Sequence, residues 1–94
     1  MKNVMTPETL LVVHDSDLYK QFAHRHTLRC QVVKPCTGLI GQRYKAVVFV
    51  DGPTAEQCAS ELWLESYRHW VDESVRTRLT PGANIFGLSA WAQK

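Results

Sequence analysis

The chain has 94 residues, 45% of them apolar and 21% charged, with a formal net charge of +2. That length suits one domain rather than two, and that balance excludes an intrinsically disordered segment. The charge excess is too slight to argue for nucleic acid by itself, and no apolar run approaches the roughly 20 residues that a bilayer span needs.

Residues 1–7 read as a loose leader, because Thr6-Pro7 favours an extended entry. MKNVMTPETLLVVHD lacks a small-residue cleavage site and so reads as mature protein. Thr9 to Val13 (TLLVV) is a β-branched apolar run that ends at His14-Asp15. Ser16 is placed to cap the next helix, Asp17 to His26, whose first turn carries Asp17 where a negative charge suits the dipole. Cys30 to Val33 (CQVV) reads as a second strand, closed by Lys34-Pro35. Cys36 to Tyr44 forms a connection containing Gly38 and Gly41.

Ala46 to Val50 (AVVFV) is the strongest strand, apolar on both faces and stopped by Asp51-Gly52-Pro53. Thr54 and Gln57 have capping-box spacing, and a 3.6-residue stripe from Cys58 to Leu79 predicts one long helix over 55–78. The stripe takes in Cys58, Leu62, Trp63, Tyr67, Trp70, Val71 and Val75. Thr80-Pro81-Gly82 is expected to stop that helix, leaving residues 83–94 as an apolar tail ambiguous between strand and helix.

This order predicts a single α/β domain over 1–94, small, three-layered and Rossmann-like in architecture. Its sheet is mostly parallel, with three strands in spatial order 2-1-3, one short helix and one long one. The competing arrangement is an α+β domain in which the second and third strands form a hairpin over Pro35 to Tyr44.

Ligands of open parallel sheets bind beyond the carboxyl ends of the strands, where strand order reverses. Here that gathers His14, Asp15, Ser16, Asp51, Gly52 and Thr54. His14, Asp15 and Asp51 are the candidate catalytic residues, suited to holding a divalent ion or to acid–base work. The competing structural roles are local: Asp15, Ser16 and Thr54 as caps, Asp51 as the start of a turn. Neither a G-x-G-x-x-G nor a P-loop motif is present, so no nucleotide cofactor is expected. His24, His26, Cys30 and Cys36 do not have the spacing of zinc modules, so no metal site is assigned. Cys58 reads as a small core residue and His69 as an edge residue. Three cysteines cannot all pair within one chain, which points to reduced thiols and a cytoplasmic location.

TLLVVHD and RYKAVVFVDGPT resemble the first and acid-bearing strands of P-loop helicase-type motors, with Asp51 standing where those proteins carry the metal-binding acid. Lacking the phosphate loop, the chain looks similar to short α/β proteins of bacteriophages and other mobile elements. The resemblance covers about half of the chain and implies a non-enzymatic accessory protein; ATPase activity does not carry over.

The function expected from the sequence is a small intracellular binding or regulatory protein acting through protein contacts. One alternative is a small metal-dependent hydrolase using the crevice of His14, Asp15 and Asp51. Another is nucleic-acid binding, which needs Arg25, Arg29, Lys34, Arg43 and Lys45 on one face. Trp63, Tyr67, Trp70, Val71, Phe86 and Trp91 are the candidate interface, and a homodimer is the expected assembly.

Overall fold

The β-branched runs become strands and stack side by side. The computed structural model describes residues 8–23, 30–39 and 43–87. β1 (Thr9–Val12), β2 (Cys30–Val33), β3 (Tyr44–Phe49) and β4 (Leu79–Phe86) form one sheet in the order β2-β1-β3-β4. All three neighbouring pairs are parallel, with Leu10 opposite Val47 and Val12 opposite both Val33 and Phe49. The α/β class stands. The expected sheet of three strands is corrected to four, the extra one lying beyond β3. The hairpin alternative is overturned, because β1 lies between β2 and β3.

β4 was hidden by its own sequence. Pro81-Gly82, expected to stop a helix, instead lies within the strand, at an irregularity. Tyr44 and Ala46, two positions apart, face Leu79 and Asn84, five positions apart. An edge strand tolerates such a bulge and a proline without an N–H, and Gly82 supplies a φ of +80° there. Residues 88–94 of the expected tail, Trp91 among them, lie outside the described residues, as do His24, Arg25, His26 and Arg29.

The expected long helix is broken. α2 (Ala55–Cys58) has the full capping box: Gln57 N donates to Thr54 Oγ1 at 3.2 Å, and Thr54 N donates to Gln57 Oε1 at 2.9 Å. Ser60 then adopts an extended conformation (φ −113°, ψ 110°) and caps α3 (Glu61–Trp70) by accepting from Trp63 N at 3.1 Å. The chain continues through a π-helical stretch, Val71–Val75, and a 3-10 turn, Arg76–Arg78. The break resets the helical phase. Leu62, expected on the buried stripe, is 79% exposed, and Cys58 is only half-buried. In the first helix, α1 (Ser16–Ala23), the cap is Asp15 and not Ser16: Leu18 N donates to Asp15 Oδ2 at 2.9 Å.

The core lies between one sheet face and α3. Leu10, Val12, Val47 and Phe49 meet Tyr67, Trp70, Val71 and Val75. On the opposite face, Leu11, Val32 and Val48 are half-buried. The β1–β2 and β3–β4 crossovers run in opposite directions along the sheet, which for right-handed connections sets α1 and α3 on opposite faces.

Candidate functional site

Parallel register delivers the expected convergence at the strand ends. Val13 N donates to Val33 O at 3.0 Å and Val50 N donates to Val12 O at 2.9 Å, so the end of β1 is held between its neighbours. Two residues beyond the Val12–Phe49 pair, His14 meets Asp51. Asp51 Oδ1 accepts from His14 N at 2.7 Å and from His14 Nδ1 at 3.0 Å, and Oδ2 accepts from Asp15 N at 3.0 Å. His14, Asp15 and Asp51 are therefore brought together, but each oxygen of Asp51 is already serving the chain. Asp15 is likewise occupied with the cap of α1. Among the described residues no three His, Cys, Asp or Glu side chains are placed to hold a metal ion.

The His14 side chain is fully buried. Its ring meets Tyr67 edge-on at 5.1 Å and Trp63 at 6.2 Å, and those two rings stack at 5.0 Å. With the Asp51 carboxylate as acceptor, Nδ1 carries the proton and Nε2 is left with a lone pair. Neither Nε2 nor the Tyr67 hydroxyl, both buried, has a hydrogen-bond partner among the described residues. Burial lowers the imidazole pKa against the pull of Asp51, so the neutral form is favoured. Burial first, then the charges of Cys36 and Asp51, hold the Tyr67 hydroxyl well above its usual range. Cys36 follows the end of β2 with a φ of +66°, and burial pushes its thiol up as well. A neutral imidazole and a protonated phenol thus gather near one anchored carboxylate, with the Cys36 thiol on the side of the phenol. The sequence supplied His14 and Asp51. Tyr67 was legible as part of the apolar stripe, but nothing in its spacing joined it to His14 at the strand ends.

The aromatic residues expected at an interface are mostly core. Tyr67, Trp70 and Val71 are 0%, 6% and 1% exposed, because α3 and the π-helical stretch that continues it lay them directly on the sheet. Trp63 is half-buried against the same cluster. Trp70 also donates its Nε1–H to Thr37 O at 2.6 Å, tying the end of α3 to the β2–β3 connection. Phe86, in contrast, is 52% exposed. Sequence reasoning missed Leu62, on the outer side of α3. On that helix Glu65, Ser66 and the exposed His69 line a surface cleft of about 360 Å³.

Of the five basic residues named above, the three that are described do not gather. Lys34 follows the carboxyl end of β2, over the Tyr19 ring at 5.1 Å. Arg43 and Lys45 lie at the amino end of β3, where Arg43 donates to Thr77 O and Lys45 sits 3.9 Å from Glu8. In a parallel sheet those are opposite ends.

Comparison of the chain with protein-family models, with curated proteins and with solved structures finds no match. Among the described residues no helix is long and apolar enough to cross a membrane.

Proposed function

We propose that this chain is a non-enzymatic binding protein that acts through protein–protein contacts. The observation that carries the reading is Leu62, 79% exposed on a helix whose other side holds Leu64, Tyr67 and Trp70 in the core. A large apolar side chain placed outward beside a cleft offers a partner an anchor and a rim. The acid–base groups at the strand ends support the same reading, because their hydrogen bonds join β1 to β3 and cap α1. The likeness to mobile-element proteins that keep the sheet without a phosphate loop points the same way. Free thiols at Cys30, Cys36 and Cys58 suit a reducing cytoplasm.

Affinity capture from the source cell with the wild type and with Leu62→Asp tests this. A specific partner should be held by the wild type and weakened on the order of tenfold or more by the substitution, as for an interface anchor. The melting temperature should stay unchanged. A partner set indifferent to Leu62→Asp would sink the reading. Self-association belongs to the same proposal, since Phe86 is exposed on the edge strand β4. Sedimentation at two concentrations measures it directly.

A further inference from the structure

We infer that His14 is a proton-operated latch between the strand ends and α3, closed while its Nε2 is a bare lone pair and opened when Nε2 takes a proton. The geometry makes the two states unequal. The side chain is fully buried, Nδ1 is committed to Asp51, and Nε2 has no partner among the described residues. A proton there creates a charged N–H donor with no acceptor, at a ring enclosed by Trp63 and Tyr67.

The groups around the ring decide the direction. From the end of β3 comes the Asp51 carboxylate, the charge that favours the imidazolium. From α3 come the indole of Trp63 and the Tyr67 hydroxyl, which stays protonated across the relevant range. From the end of β2, Cys36 lies close enough to Tyr67 for its thiolate, once formed, to act on the phenol, but burial pushes that thiol up and keeps it neutral here. Asp15, next in the chain, is occupied with Leu18 N. Burial outweighs the help from Asp51.

The opening has a preferred place. The strands are held by their hydrogen-bond ladder and by Asp51, and the far end of α3 is tied through Trp70 to Thr37. Trp63 and Tyr67 touch the imidazole only through ring contacts, and the start of α3 is held by the Ser60 side-chain cap, by Leu64 N donating to Ser60 O at 3.0 Å and by the buried Leu64 side chain. Protonation therefore releases the first two turns of α3 and uncovers Trp63 and Tyr67, beside the exposed Leu62. A partner contact made there becomes dependent on pH.

Two measurements on the intact protein test this. The first is an NMR titration of its histidine side chains. His14 should remain the Nδ1–H tautomer well below the ordinary imidazole value of 6.5. The second is amide hydrogen exchange, corrected for its intrinsic pH dependence. Between pH 7.5 and pH 5, residues 60–67 should exchange faster, by up to about thirtyfold, the ceiling set by an opened imidazole that titrates at the ordinary 6.5. Residues 44–49 should change far less. In His14→Gln the pH step at 60–67 should vanish. A His14 that titrates at or above 6.5, uniform acceleration over the whole chain, or an unchanged step in His14→Gln overturns the inference. If His14→Gln does not fold, the wild-type titration and exchange pattern still decide it. Neither measurement involves a partner, so failure of the latch is distinguishable from failure of the binding function.

Discussion

Replacing Trp70 by alanine separates core from interface. The ring is 6% exposed, stacked near Tyr67 at 6.3 Å, with its Nε1–H on Thr37 O. Losing such a side chain from a core costs about 3–5 kcal/mol. At roughly 4–8 °C per kcal/mol for a domain of this size, the melting temperature should fall by on the order of 20 °C. Trp70→Phe keeps most of the ring and removes only the donor. Thr37 is exposed, so water can take over its carbonyl, and the cost should fall to about 1 kcal/mol. Urea unfolding at two protein concentrations an order of magnitude apart is the assay. Under the core reading both losses are the same at both concentrations. A Trp70→Ala protein within about 1 kcal/mol of the wild type, or a loss that grows on dilution, would refute the reasoning and return Trp70 to an interface.

Gly87 has a φ of +72°, and a Cβ there would lie 2.5 Å from Phe49 O, so Gly87→Ala should cost more than the ~1–2 kcal/mol of left-handed backbone alone. Gly82→Ala, with a φ of +80° but open space around it, should cost only about that amount in the same urea titration. Tyr67→Phe removes a buried hydroxyl without a partner, so stability should be unchanged or should rise by up to about 1 kcal/mol; a loss of that size would mean the hydroxyl is bonded. Asp51→Asn replaces one of the two accepting oxygens by an NH₂ that opposes a backbone donor. It should cost about 2 kcal/mol by thermal melting, equally with and without chelator. His14 has a lowered folded-state pKa, so the unfolded chain binds its proton more readily. Its contribution to stability should be complete above the ordinary value of 6.5 and decline as pH falls through the folded value, read as melting temperature against pH in wild type and His14→Gln.

Much of the sheet was legible because three strands announce themselves in the same way, as β-branched runs ended by polar residues. The cap at Thr54 was legible for a similar reason: its two hydrogen bonds are local, and the residues that make them are three apart. β4 and the break at Ser60 were not. Pro81-Gly82 is a stop signal by local rules, and only its position on an edge strand, with an irregular register against β3, lets it remain in a sheet. Ser60 lies within an unbroken helical periodicity, so its role as a cap depends on the chain turning there. That turn sets which face of α3 meets the sheet. It is why Leu62 points outward although the unbroken stripe includes it, while Tyr67, on the same stripe, stays on the sheet and reaches His14.

The strand-end acids make the same point for the site. An apolar strand ending in an acid places that acid where ligands of parallel sheets bind, and the sequence put His14, Asp15 and Asp51 there correctly. Position does not settle the role. The structure shows where the hydrogen bonds go: Asp51 accepts from three donors in the turn that follows β1, at 2.7, 3.0 and 3.0 Å. A carboxylate used that way joins two strands, fixes an imidazole tautomer and keeps little capacity for anything entering from outside. The same bonds leave His14 with its other nitrogen buried and unpaired. With the latch inferred above, the joint that closes the strand ends is also sensitive to acid, which is why the His14 titration and the Asp51→Asn melting curve bear on one another. If Asp51 positions the imidazole, its removal must both lower stability and shift the pH at which the first turns of α3 open. A change in only one of these would show that the two residues act separately.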